Sequence, residues 1–522
     1  MDRNQNRILL TGLLFLLFQM DLFAQSYFSK RYDLLNEQGY DFSLDIVGEI
    51  SGYTLVAQSE GMYTPNGLIA FLKIDNTGNI SGVPVSYYDS VSGIQTGYPG
   101  SFIKKAGGNG YFCLATKMKM VPEGRYDRGW LMYLDSALDT IWTKMYTDAP
   151  PHDTSIMFRN FRELNEGGFI VVSLLNPVPG GLFRIGMHKI DSTGTLLWGK
   201  RYGTGNIHFQ GVDVSSTSDS GYVIGAEFIP AGGSSSQDTD PIIIKTNSIG
   251  NQQWSLHLGN PDCRDNYAMV GIANDGNIQV GTEYSDTCWS ESGYKARINF
   301  LKIRNDKSIV WDKKYGFPKV YLNLSKVRVL PDADVVGTGW YYDFSLSGMK
   351  IISWIIRTDS AGNEKWYREY SILEGPNSQN LLWNVIPTND GGFAACGMVV
   401  PVQPDTGTQD SWVLKVDSLG CESPGNCWVG QDEIEVKTFT PDKPFVVYPN
   451  PVTDKLTVEF HINTQGVLIE LVNLYGQTCS RINHPKNTER AQIDVSKLPR
   501  GIYFVRVTSG DRVVATEKVV VK

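Results

Sequence analysis

Four copies of one short pattern hold the residues of this 522-residue chain whose types and spacing most resemble chemistry. They are "KIDNTG" with Asp75, "KIDSTG" with Asp191, "RTDSAG" with Asp359 and "KVDSLG" with Asp417. Five tryptophans, Trp142, Trp198, Trp254, Trp311 and Trp366, recur 55 to 57 residues apart in register with the same pattern. A carboxylate followed by a glycine and an indole offers a calcium ligand, an acid–base group or a platform for a sugar ring. An active site is rarely copied into nearly every unit of a repeat, so the pattern reads as architecture. Each Asp is expected to accept backbone N–H groups of a tight turn, with the Gly supplying positive φ. Each Trp is expected to wedge between neighbouring units.

The other reactive residues form no recognisable site. The six histidines, His152, His188, His208, His257, His461 and His484, are scattered. No GxSxG elbow, phosphate-cradling loop or CxxC pair occurs, so neither a metal, a cofactor nor a catalytic motif is expected. The Asp pattern resembles the Asp-box of sialidases in residue types but departs from it in spacing, with two residues rather than one between Asp and Gly. A net charge of -8 argues against a nucleic-acid or anionic-membrane surface, either of which needs clustered Lys and Arg.

The elements that must position these residues are strands. "GYTLVA" (52–57), "GYFCLA" (110–115), "GFIVVS" (168–173), "GYVIGA" (221–226), "GNIQVG" (276–281), "DVVGTG" (334–339) and "GFAACG" (392–397) start 53 to 58 residues apart. Each is followed by a second apolar run ending in a turn, such as "FLKIDNTG" (71–78) or "VLKVDSLG" (413–420). Short β-branched and aromatic runs punctuated by Gly, Asp, Asn and Ser are hairpin chemistry. Four strands in about 55 residues, repeated seven times, predict an all-β fold, a seven-bladed β-propeller. The seventh unit lacks its Trp strand, whereas an orphan "YFSKRYD" (27–33) matches "WGKRYG" (198–203), with Phe28 in the Trp place and Tyr32 in the Tyr place. The N-terminal strand is therefore expected to complete the last blade and close the ring.

Antiparallel order puts both short turns of every blade on one side and the variable second-to-third loops on the other. Variable loops on a rigid scaffold are where binding usually resides. Tyr63, Tyr284, Trp289, Trp340 and Tyr341 are the aromatic candidates there, suited to stacking on a sugar ring or packing on a protein. Cys263 with Cys288, and Cys421 with Cys427, are the expected disulfides, while Cys113 and Cys396 fall in apolar strands.

The two ends follow a different grammar. Arg3 and Arg7 precede the apolar run "ILLTGLLFLLF" (8–18), too short to span a bilayer, and residues 1–25 read as a signal peptide cut near Ala24 or Gln25. The expected propeller covers 26–428 and an acidic linker 429–444. Residues 445–522 hold ten Lys and Arg against seven Asp and Glu, the opposite charge sign to the rest, and their strand runs predict a small β-sandwich. "VYPNPVTDKLTVEF" (447–460), "IELVNLYGQ" (469–477), "LPRGIYFVRV" (498–507) and "EKVVVK" (517–522) resemble the type A C-terminal sorting domain of the type IX (Por) secretion system of Bacteroidota. That resemblance implies export through the outer membrane, the tail being recognised by the secretion machinery, and a secreted or cell-surface location; the lengths of the apolar runs predict no transmembrane segment in the mature chain. For the exported part, two readings stand. One is a binding module for a glycan or protein; the alternative is a propeller hydrolase or lyase acting on extracellular polysaccharide.

Overall fold

A computed structural model describes residues 25–34, 40–59, 67–87, 93–97, 99–105, 108–121, 124–147, 155–176, 183–203, 213–228, 239–260, 263–288, 294–344, 348–401, 409–423, 445–460, 467–474, 476–484, 490–509 and 512–522. The chain divides into two compact units, 1–427 and 428–522. Every regular element among the described residues is a strand, and no helix there is long and apolar enough to cross a membrane. Expectations for residues 1–24 and for the linker lie outside the described residues.

In the first unit one antiparallel motif recurs. Phe42–Gly48, Gly52–Ser59, Leu68–Asp75 and Val85–Tyr87 pair in chain order. The same order runs from Ser155–Glu163 to Leu196–Tyr202 and from Asp213–Ser216 to Gln252–His257. Between the first two of these groups, Phe102–Lys104, Gly110–Val121, Gly124–Asp135 and Thr140–Tyr146 form another, to which Gly93–Thr96 also pairs. Further along, the 21-residue strand Ile309–Val329 ends the group that begins at Met269–Ile272 and opens the group that ends at Glu364–Tyr370. Gln379–Pro387, Phe393–Val400 and Asp410–Val416 come last. Their fourth strand is Phe28–Tyr32, which runs antiparallel to Asp410–Val416 with Phe28 opposite Lys415 and Tyr32 opposite Ser411.

The opening strands of these groups contact one another in chain order, with Gly110–Val121 bridging one step, and Gln379–Pro387 returns to contact Phe42–Gly48. Four-stranded meanders packed in a cycle are the β-propeller arrangement, which buries both faces of each sheet. The sequence supports this because its strands are apolar on both faces; all eight residues of Gly52–Ser59 are buried. The core accordingly lies between groups. One cluster joins Ile170, Val172 and Met187 to Tyr222, Ile224 and Ile244, and another joins Phe28 and Tyr32 to Ile46, Leu55 and Val413.

The second unit contains a three-stranded sheet (Phe445–Tyr448, Lys455–Phe460, Arg490–Asp494) and a four-stranded sheet (Thr478–His484, Val467–Asn473, Gly501–Ser509, Arg512–Val521). Both share one core, in which Phe445, Val458 and Ile493 meet Ile469, Val505 and Val519. Across the outer face of the larger sheet, Glu470 accepts two hydrogen bonds from Arg481 and two from Arg506.

Candidate functional site

The recurring Asp, Gly and Trp residues form a joint between neighbouring groups. Asp191 Oδ1 accepts the N–H groups of Thr193 and Thr195 at 2.9 and 2.8 Å, and Gly194 takes a φ of 83°. Asp75, Asp359 and Asp417 repeat the turn, and these backbone donors hold the Asp75 carboxyl down at about 2. A side chain added at Gly194 or Gly250 would meet Trp142 or Trp198 within 3.0 Å, so the indole lies flush on the next group's turn. Trp311 on Gly362 and Trp366 on Gly420 do the same, and Phe28 occupies that place on Gly78. Four residues after each of Phe28, Trp142, Trp198, Trp311 and Trp366, a tyrosine O–H donates to the carbonyl of that same glycine at 2.6–2.8 Å: Tyr32, Tyr146, Tyr202, Tyr315 and Tyr370. Where the glycine is missing, Leu138 and Lys307 adopt positive φ instead; Tyr87 donates to the Leu138 carbonyl and Trp254 to that of Asn305. These residues face protein and are consumed by packing.

The opening strands carry a second recurrence that sequence reading missed. A register shift falls immediately before Asp45, Asn160, Lys326 and Asn384. The extra residue re-aims the side chain that follows it. Asp45, Asn160, Asp213 and Asn384 each accept the next residue's N–H at 2.8–3.0 Å and then reach across to other groups. Asp45 takes the N–H groups of Gly100 and Phe102 and a donor from Asn384. Asp213 takes Arg162 at 2.9 Å and Lys326 at 3.1 Å. Burial pushes the Asp45 carboxyl up and the Lys326 ammonium down to about 8, whereas the two cations on Asp213 outweigh its burial and hold its carboxyl down.

On the variable-loop side the sequence candidates separate. Tyr63 and Trp289 lie outside the described residues. Tyr284 is covered by Lys314, whose Nζ stands 4.0 Å from the ring centre. Tyr341 is not an exposed ring: it is 5% exposed, donates to Glu369 at 2.9 Å and lies under Lys319. Alternation along the strand explains the correction, because Tyr341 faces away from Trp340 and Tyr342. Trp340 does lie on an aromatic ridge, built with rings the sequence reading did not single out. Its centroid is 5.6 Å from Tyr342 and 6.3 Å from Trp383; Tyr342 is 5.2 Å from Tyr321, which is 5.3 Å from Tyr294. Phe344, 52% exposed, stacks on Tyr342 within 12° of parallel. Trp340, Tyr342 and Phe344 share one strand face at spacing two, the signal that would have found them.

The ridge continues into a polar group. Asn266 Nδ2 donates to Glu283 at 2.8 Å and to the Tyr294 hydroxyl at 3.1 Å, and Arg264 Nε donates to Asn266 Oδ1 at 3.0 Å. Glu227 lies in reach of Thr239 and the Tyr267 N–H. Both glutamates are buried, which pushes Glu227 up to about 7 and Glu283 up to about 8, the Glu227 charge adding to the rise of Glu283. A disulfide between Cys263 and Cys288 braces the segment that carries Arg264 and Asn266. Cys421 is also disulfide-bonded, and Cys427 lies outside the described residues. Cys113 and Cys396 are buried free thiols. Among the described residues no cluster of three His, Cys, Asp or Glu side chains is placed to hold a metal.

Comparison with known proteins bears chiefly on the second unit. Residues 446–522 match the family model described as the secretion system C-terminal sorting domain, Por_Secre_tail. These residues are a type IX sorting domain. The sorting domain implies interaction with that secretion machinery and delivery to the cell surface or beyond. No curated protein matches the chain. Among solved structures, the WD40 domain of Toxoplasma gondii coronin is similar at 9% identity, covering 75% of this chain and 87% of that one, with a TM-score of 0.41. The α-L-arabinanase of Penicillium chrysogenum is similar at 11% identity over 58% and 90% of the two chains, with a TM-score of 0.38. The GH32 β-fructofuranosidase of Bombyx mori is similar at 8% identity over 73% and 91%, with a TM-score of 0.33. None of these scores reaches 0.5, and the fold assignment rests on strand pairing.

Proposed function

We propose that this exported protein is a glycan-binding module: a seven-bladed β-propeller over residues 26–428, freed of a signal peptide at 1–25 and joined by a linker at 429–444 to a sorting domain built as a small β-sandwich. The ridge Tyr294–Tyr321–Tyr342–Trp340–Trp383 carries the reading. It gathers rings from the end of a second strand, the start of a third strand and two first strands, and Phe344, stacked on Tyr342, presents an open face at one end of it. Apolar sugar faces and stacked rings suit each other, while the partly exposed Arg264 supplies a polar donor near the Tyr294 end of the ridge.

The test is a glycan array probed with the mature full chain, with and without calcium, followed by Phe344→Ala and Trp340→Ala. Loss of one stacking partner, about 1.5 kcal/mol, lowers affinity about tenfold. Phe344→Ala is expected to do so with an unchanged melting curve. An array without a specific hit, or a hit indifferent to both substitutions, refutes the glycan reading and favours a protein ligand.

One observation favours a second reading, a hydrolase or lyase on extracellular polysaccharide. Glu227 and Glu283 are buried carboxyls poised near neutrality, the condition for proton transfer. Release of reducing ends by the wild type, abolished in Glu283→Gln while binding persists, would replace binding by catalysis as the function.

A further inference from the structure

On the side opposite the variable loops, a cleft of about 500 Å³ opens between the first and last strand groups. Its rim comes from their short turns, with Glu49 and Ile50 on one side and Thr388, Asn389 and Asp390 on the other, and its walls include Ile46, Phe102 and Ile386. Arg328, from an opening strand, also lines it.

Charge in and around this cleft does not balance locally. The rim carboxylates are each already neutralised: Lys104 pairs with Glu49 at 2.5 Å and Lys415 with Asp390 at 2.9 Å. Behind the rim, three cations, Arg162, Lys326 and Arg328, act on one another and are faced by two carboxylates, Asp45 and Asp213. Asp213 is taken by Arg162 and Lys326. Asp45 spends its oxygens on the Gly100, Phe102 and Ile46 N–H groups and on Asn384. Arg328 therefore bonds no carboxylate; its Nε donates to the Val385 carbonyl at 2.8 Å and its Nη2 to Asn384 Oδ1 at 3.3 Å. Its Nη1 makes no hydrogen bond to the described residues. A guanidinium held by neutral groups, in a net-positive cluster at the wall of an apolar cleft, is a receptor for an anion, because burying an uncompensated charge is costly until a counter-charge arrives.

We infer that this cleft binds the carboxylate of a small organic acid, with Arg328 as the cation that receives it and Ile46, Phe102 and Ile386 packing its body. The volume admits a molecule of one or two rings. A planar carboxylate matches the guanidinium fork. The site stands apart from the aromatic ridge, and its fate does not depend on the glycan reading.

The experiment is titration of the full mature chain with benzoate, with D-galacturonate and with neutral benzyl alcohol, followed by calorimetry. Saturable binding of either acid, absent for benzyl alcohol, is expected. Arg328→Gln should weaken it at least about tenfold, by loss of a charge-assisted bond. Because that variant removes a half-buried group, a second pair keeps the fold intact: Ile50 is 92% exposed on the rim. Ile50→Glu should weaken and Ile50→Lys strengthen binding, each by roughly two- to threefold and less at high salt. No saturable binding of either acid, equal binding of benzyl alcohol, or identical affinities for the two Ile50 variants overturns the inference.

Discussion

Removing residues 26–33 should open the propeller at its seam. The strand Phe28–Tyr32 covers Asp410–Val416, whose seven residues are all buried. Phe28 is 8% exposed against Gly78, and Tyr32 is 5% exposed with its hydroxyl on the Gly78 carbonyl. Truncating a buried Phe costs about 3–5 kcal/mol. Leaving a buried carbonyl without its donor costs about 1–3 kcal/mol more. The Arg31–Asp410 pair, 30% and 10% exposed, adds under about 1 kcal/mol. The deletion therefore removes on the order of 5 kcal/mol, comparable to the whole stability of an ordinary domain, and bares an apolar strand edge that invites aggregation. Urea unfolding followed by tryptophan fluorescence measures this, with Phe28→Ala expected to lose about 3–5 kcal/mol and Tyr32→Phe about 1 kcal/mol. A deletion variant that melts with the wild type would refute the closure and the joint chemistry behind it.

Glu227 and Glu283 hold protons in the folded state at pH values where the unfolded chain has lost them, so the stability they contribute is complete below about 4.5 and lost as pH rises through about 7 and 8. Calorimetry should find Glu283→Gln close to wild type at pH 5 and relatively more stable at pH 8.5; a difference that stays constant with pH contradicts the burial argument. Replacing both Cys263 and Cys288 by Ser releases a loop with a sequence separation of 25 and should lower unfolding free energy by about 3 kcal/mol, read as a reduced urea midpoint.

The repeat was legible because its signals are local. Asp191, Gly194 and Trp198 lie within eight residues, the turn they define is closed by its own hydrogen bonds, and the Trp returns every 55 to 57 residues, with the whole triple again at Asp359, Gly362 and Trp366. The closing strand was legible for the same reason, since "FSKRY" repeats a phrase used elsewhere. The proposed binding surface was less so. Trp340 was singled out by its loop context and lies among the ridge rings, but Trp383 sits in an opening strand with no local mark, and Tyr341 was misplaced because loop context says nothing of strand alternation.

The sequence alone determined the strand type, the period, the completion of the last unit by the first strand and the sorting domain, since each depends on contacts within a few residues or on a phrase repeated in order. Only the tertiary structure decided which charges are shared. Asp45 meets Asn384 across 339 residues and Asp213 meets Lys326 across 113. Such pairs leave no periodic trace, because a buried charge is compensated by whatever group the fold carries to it, at a distance that chain separation does not record.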